Sequence, residues 1–196
     1  MTRAESLIAS HWLGTVNSLI ATFVALPVLA PMLLALGWGD LSDLIYRAYS
    51  HVCHQWAQRS FFILGPHLTY TLSELSVLVG NGTPEAMVGS NQIGYKIAFC
   101  ERDLAIYSSI LAAGLGIALL RPRIRPLSVA SYAALLLPIA VDGFTQLFGW
   151  RESTPFLRIF TGTCFGAATV WFIYPRIDLL VAARSRGWDT TRALDG

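Results

Sequence analysis

The chain has 196 residues, 54% of them hydrophobic and 13% charged, with a formal charge of +2. A soluble domain carries roughly a quarter charged residues, so this composition excludes an ordinary water-soluble globule, and the length bounds it to one compact domain. The weak positive balance, with no basic stripe interleaved with aromatics, excludes a nucleic-acid partner.

The first apolar run, residues 13–36, reads as a retained spanning helix. A secretory leader would carry a positive n-region, but Arg3 is offset by Glu5. Its one small-residue cleavage candidate, Val28-Leu29-Ala30, is followed by Pro31. The run also exceeds the roughly 7–15 residues of a leader's apolar core. A more polar stretch, 39–103, follows, and then three further apolar runs at 104–120, 127–148 and 156–174. Crossing a bilayer takes about 20 mainly apolar residues. The short second span is helped by Arg102 and Arg121, which can snorkel to the headgroups. Pro27, Pro31 and Pro138 fall inside spans, where neighbours must satisfy the carbonyls they free. Small residues at Gly162 and Gly166 with Ala167 and Ala168, and at Ala112, Ala113, Gly114 and Gly116, predict close helix packing. The expected fold is all-α: an integral membrane bundle of four transmembrane helices in a single domain, 1–196, with a structured extracytoplasmic cap.

Arginine placement sets the expected orientation, because short cytoplasmic segments are enriched in Lys and Arg. The link between the second and third spans carries Arg121, Arg123 and Arg125, and the tail carries Arg176, Arg184, Arg186 and Arg192. Both fall on one side of a four-span chain. That side is expected to be cytoplasmic, with both termini, in a multi-pass protein of the cell's inner (plasma) membrane. The cap and the link 149–155 then face outward. The six Trp and seven Tyr suit the two lipid interfaces.

Reactive side chains gather at the outward end. The cap holds Cys53-His54-Gln55, Arg59-Ser60-Phe61-Phe62 and Cys100-Glu101-Arg102-Asp103 with Ile106-Tyr107. The third span adds Asp142-Gly143 and Gln146, the outer link Arg151-Glu152-Ser153-Thr154, and Arg158 opens the fourth span. In this order they resemble an uncharacterised family of small prokaryotic membrane proteins, a domain of unknown function marked by a Cys-His-Gln…Arg-Ser-Phe-Phe…Cys-x-Arg pattern. The resemblance covers about residues 46–166 and implies a four-helix fold with a shared site, but no activity. One departure is plain: 37 residues separate Phe62 from Cys100, far more than the family pattern. The extra material, about 64–93, carries the apolar run Leu72–Val79 and an Asn81-Gly82 turn signal. An outward, partly apolar insertion suits contact with another membrane-protein subunit or with the membrane surface.

The expected site joins Cys53, His54, Arg59, Cys100, Arg102, Asp103, Asp142, Gln146, Arg151 and Arg158. Its chemistry is open at this stage. Cys53 and Cys100, on an oxidising face, can form a disulfide. Alternatively Cys53, His54 and Cys100, joined by Asp103, offer donors to zinc or another transition metal, or Cys53 is a nucleophile activated by a histidine. Asp142 lies roughly 9 Å below the outer end of its span at 1.5 Å per residue, on one face with Gln146. A carboxylate there costs about 2.5–3.5 kcal/mol on insertion scales, so Arg102 and Arg158 are its expected partners. The four arginines together can also hold a lipid phosphate or quinone headgroup. Three functions remain in play: an accessory or assembly subunit of a larger membrane complex, an extracytoplasmic metal- or thiol-dependent enzyme, and a headgroup binder. His11, His67 and Glu74 are assigned no role.

The orientation is checked with a membrane-impermeant thiol reagent on intact cells. It is expected to label a cysteine placed at Gly89 and to leave one at Ser185 unlabelled. The reverse pattern would overturn the topology.

Overall fold

The computed structural model describes residues 3–80, 82–120 and 124–185, with side chains described from His11 to Ala183. Arg121, Arg123, Arg186 and Arg192, the side chain of Arg184 and Asn81 lie outside that range. In chain order the helices are α1 (Arg3–Ala35), α2 (Gly39–Ser50), α3 (Leu72–Val79), α4 (Glu101–Leu120), α5 (Val129–Leu147) and α6 (Pro155–Ser185). Three short strands, β1 (Phe62–Ile63), β2 (Gly89–Ser90) and β3 (Gly94–Lys96), lie within the cap. Among the described residues, four segments are long and apolar enough to span a membrane: His11–Ala35, Glu101–Leu120, Val129–Leu147 and Pro155–Ala183. The four-span, mainly helical architecture read from composition therefore holds. The last span runs well past the expected residue 174, because Pro175 lies inside α6 without ending it. Arg176 there donates to the carbonyls of Phe172 at 2.5 Å and Leu127 at 2.7 Å.

The two prolines of α1 explain how the cap is seated. A proline lacks the N–H that would bond the carbonyl four residues earlier. Pro27 thus frees the carbonyl of Phe23, which accepts from the Tyr49 hydroxyl at 2.8 Å. Pro31 frees the carbonyl of Pro27, which accepts from the backbone N–H of Ala98 at 3.1 Å. The Ser42 hydroxyl adds a third bond, to the Ala30 carbonyl at 2.8 Å. Each donor belongs to the cap. The amphipathic α2 buries Ser42, Ile45, Tyr46 and Tyr49, which join Ala30, Cys53, Ile97, Ala98 and Phe99 in one core. Phe23 meets Tyr49 and Phe99 at ring-centroid distances of 5.2 and 5.5 Å.

The insertion is built on a small antiparallel sheet of order β1-β3-β2, with Phe62 opposite Lys96 and Gly89 opposite Tyr95. Gly94 is needed at the tight pass into β3. Its φ is +82°, and a Cβ there would stand 2.4 Å from the Ile63 carbonyl oxygen. Tyr70 and Leu75 pack on Ala57, Phe62 and Ile93, and Tyr70 donates to the Ile93 carbonyl at 3.0 Å. Thr71 and Glu74 cap α3 reciprocally, a Ser/Thr-x-x-Glu signature that assigns Glu74 a purely local role.

The bundle is organised around α6. A Cβ on Gly162 would lie 2.8 Å from the Arg102 carbonyl oxygen, and one on Gly166 would lie 2.4 Å from that of Ile106. These glycines bring the α4 and α6 backbones into close contact, as small residues do between membrane helices. Gly114 instead makes room on α4 for the Asn17 side chain of α1, whereas Gly116 faces open space. α5 packs mainly on α6, not on α4. A link this short ordinarily makes α4 and α5 antiparallel neighbours. The glycine face of α6 instead takes α4, leaving α5 to the other flank. A separate core of Trp12, Leu13, Ile117, Val170 and Tyr174 closes the end of the bundle away from the cap.

Tyr49→Phe is expected to destabilise the fold by about 1–3 kcal/mol, the cost of an orphaned buried acceptor. In a Pro27→Ala background the new N–H can take the Phe23 carbonyl, so the same change is expected to cost clearly less. Equal costs in the two backgrounds, measured by equilibrium unfolding in detergent, would contradict this account of the cap.

Candidate functional site

The cap-end helix termini converge on one carboxylate. Among the described residues of α5, Asp142 is the only buried one, at 1% exposure. Its Oδ2 accepts from Arg102 and from the Ser153 hydroxyl at 2.9 Å, and its Oδ1 accepts from Arg151 at 2.8 Å. Arg102 also reaches Gln146 Oε1 at 3.2 Å, because Asp142 and Gln146 share a helical face. Arg158 is not a partner of Asp142, contrary to the expectation from sequence. It pairs with Glu101 at 2.9 Å, and both side chains are buried. The reason is positional: Arg158 and Glu101 lie on the closely packed α6 and α4, and the Asp142 oxygens are already taken.

Beside these pairs lie the two cysteines. Cys100 is the N-cap of α4, its carbonyl accepting from Leu104 N at 2.9 Å. The Cys100 thiol donates to Asp103 Oδ2 at 3.2 Å, and the Cys100 N–H donates to Cys53 Sγ at 3.2 Å. Cys53, Cys100 and Asp103 bring one donor atom each to within 4.8 Å of one another. Both cysteines are free thiols. The bond with Cys53, together with burial, pushes the Cys100 thiol far above its ordinary range. His54 is exposed and makes an edge contact with Trp56 at 6.2 Å, so it stands outside the thiol group and Asp103 takes the place expected for it.

The turn that carries Cys53 is fixed from behind. Gln55, with φ +52°, donates from its amide to the Tyr46 carbonyl at 2.9 Å, and its own carbonyl accepts from Lys96 Nζ at 2.5 Å. The Tyr46 hydroxyl donates to the Lys96 carbonyl. Burial lowers the Lys96 ammonium to about 8, opposed in part by Cys53.

Above this lies a cavity of about 330 Å³, lined by Cys53, His54, Arg59, Cys100, Arg102, Asp103, Gln146 and Arg158 among others. Asp142 and Arg151 are absent from its lining and sit behind Arg102. Arg59 stacks over Trp56 at 4.4 Å and has no carboxylate within ion-pair distance among the described residues. Burial and the nearby Arg158 and Arg102 lower its pKa, while Glu152 opposes them. The Nε atoms of Arg59, Arg102 and Arg158 and the Nε2 of Gln146 are buried without an acceptor among the described residues.

Sequence reasoning placed Gln55, Glu101 and Ser153 at the outward end without giving them a part in the site, and missed Lys96. Glu101 carried a usable signal, being an acid at the first position of a span, where an uncompensated charge is costly. Lys96 carried none, since a single lysine in a loop normally lies in water.

Comparison with known proteins agrees with the family resemblance. Residues 92–172 match the family described as Predicted membrane protein (DUF2085). That stretch contains Cys100, Arg102, Asp142, Arg151 and Arg158, whereas Cys53 and Arg59 precede it. An uncharacterized protein of Methanocaldococcus jannaschii is 33% identical over 158 residues, covering 75% of this chain and 80% of that protein. No solved structure gives a significant match.

Asp142→Ala is expected to cost roughly 3–5 kcal/mol, as when one member of a buried ion pair is removed. Arg151→Ala, removing a half-exposed partner, is expected to cost about 1 kcal/mol or less. Equal costs in detergent unfolding would show that Asp142 does not hold α5 to the bundle.

Proposed function

The chain belongs to the DUF2085 family of predicted membrane proteins, and we propose that it binds the anionic phosphate headgroup of a membrane lipid in the arginine-lined cavity at the cap end. The observation that carries this reading is a surplus of donors. Arg59, Arg102, Arg158 and Gln146 all line the cavity, and each has a buried nitrogen without an acceptor. An unmet buried donor costs about 1–3 kcal/mol. An anion in the cavity would bring acceptors to these side chains, and the planar guanidinium fork matches phosphate geometry. Arg59, with no carboxylate partner, is the natural first contact.

The depth of the cavity favours a lipid over a soluble anion. Exposed aromatics surround the cap ends of the spans, including Trp56, Phe148, Trp150 and Phe156. Aromatic belts of this kind sit at headgroup level. With the arginine-rich link and tail on the cytoplasmic side, the lipid would be drawn from the outer leaflet of the plasma membrane.

Arg59→Gln is expected to weaken binding by about tenfold, equivalent to losing about 1.4 kcal/mol of charge-assisted contact. The measurement is lipid retention by the purified protein in nanodiscs of phosphatidylcholine carrying a small fraction of phosphatidate. A wild-type protein with no preference for phosphatidate, or an Arg59→Gln variant that binds equally well, would sink the reading.

A second reading, an accessory or assembly subunit of a larger membrane complex, is favoured by the insertion. Leu64, Leu68, Leu72, Val77 and Leu78 are all exposed there. A contiguous apolar surface is a mark of an interaction site. Replacing 64–93 with a short Gly-rich turn is expected to leave the bundle folded and to release any stoichiometric partner that co-purifies. Loss of the bundle itself would place the segment in the core and end this reading.

A further inference from the structure

We propose that Cys53, Cys100 and Asp103 form a site for a thiophilic divalent metal ion of the zinc class, with its fourth coordination position open to the cavity. Two sulfurs and a carboxylate oxygen already lie within 4.8 Å of one another. Tetrahedral zinc with ligands at about 2.0–2.3 Å needs donor atoms at such spacings after only small side-chain rotations. The three ligands come from two parts of the chain, since Cys53 lies 47 residues before Cys100. A site assembled this way needs the whole cap to be folded.

Helix capping alone does not account for the arrangement. Cys100 caps α4 and exchanges bonds with Asp103, whose N–H donates back to Cys100 Sγ at 3.4 Å. Serine performs that role at least as well, and capping does not call for a second sulfur beside it at Cys53. Backbone N–H groups from Cys100 and Asp103 point at the two sulfurs, the kind of outer contact that orients metal ligands.

The surrounding arginines raise an objection that the charge balance answers. Guanidinium groups would repel a cation held by neutral ligands. Two thiolates and a carboxylate with a divalent ion sum to one negative charge, however, and Arg59 beside them lacks a carboxylate partner among the described residues. The anionic complex and the unpaired arginine compensate each other. Soft thiolates select zinc-class ions over magnesium or calcium. Three protein ligands with one open position is the pattern of zinc sites that bind a further ligand. The cavity-side position would receive water or an oxygen of a bound anion. This assignment does not depend on the headgroup reading, because the donor set is complete without it.

The test uses the full-length, reduced protein in a phospholipid-free detergent, with Co²⁺ as a spectroscopic probe. A near-ultraviolet thiolate-to-cobalt charge-transfer band is expected at about one ion per chain, reversed by Zn²⁺. Cys100→Ser keeps the helix cap and is expected to abolish the band, as is Cys53→Ser. Asp103→Asn is expected to weaken Co²⁺ binding by at least about tenfold, in the range seen when groups that support a metal site are removed. His54→Ala is expected to leave it unchanged. A protein whose Cys53 and Cys100 thiols react freely yet give no band would overturn the proposal. So would a band that survives Cys100→Ser, or one lost in His54→Ala. Because no phosphate is present, a positive result stands even if phosphatidate binding fails.

Discussion

The constraint on which the cap end depends is the carboxylate of Asp142. α5 has one buried residue, Asp142, while Leu137, Val141, Phe144 and Leu147 are exposed; nearer its start Tyr132 stacks on Phe172 and its hydroxyl lies 3.2 Å from that of Thr169. Between membrane helices, apolar burial gives no driving force, because lipid is as apolar as the side chains. Polar contacts and close packing must do the joining. Arg102 from α4, Arg151 and Ser153 from the following link and Asp142 itself tie three elements at one point. The two arginines are partly exposed, Arg151 more than Arg102, which limits the desolvation that makes fully buried pairs expensive.

A second set of polar contacts seats the cap. Pro27 and Pro31 each free a carbonyl deep in α1, where an unmet acceptor is costly. Tyr49 and Ala98 supply the missing donors. The prolines therefore act as sockets for the cap and not as defects in the helix. Because Ala98 lies two residues before Cys100, and Tyr49 four before Cys53, the same contacts bring both cysteines to the mouth of the bundle. Lys96 completes the arrangement by holding the Gln55 carbonyl, so the Cys53 turn cannot drift without breaking a buried bond.

The resulting cavity is lined by two chemically distinct sets of groups. One carries guanidinium groups with donors to spare, and the other two thiols and a carboxylate. Arg102 and Arg158 are held by Asp142 and Glu101, which fixes their positions while leaving an Nε of each unspent.

The sequence by itself determined the class of molecule and the end of the bundle at which its polar residues gather. Span lengths follow from bilayer thickness, and the cost of charge in hydrocarbon marks Asp142 as a residue that must have partners. Those rules act on one residue or one segment at a time, so they can be read from a string. Partner choice is different, because it depends on which helices touch. Arg158 was free, on sequence grounds, to meet Asp142. Only the close approach of α4 to the glycine face of α6 gave it Glu101 instead. The same holds for Asp103 in place of His54 beside the thiols, and for the burial of Lys96. Each was decided by the rotation of a helix or the path of a loop, which backbone packing sets and residue spacing does not.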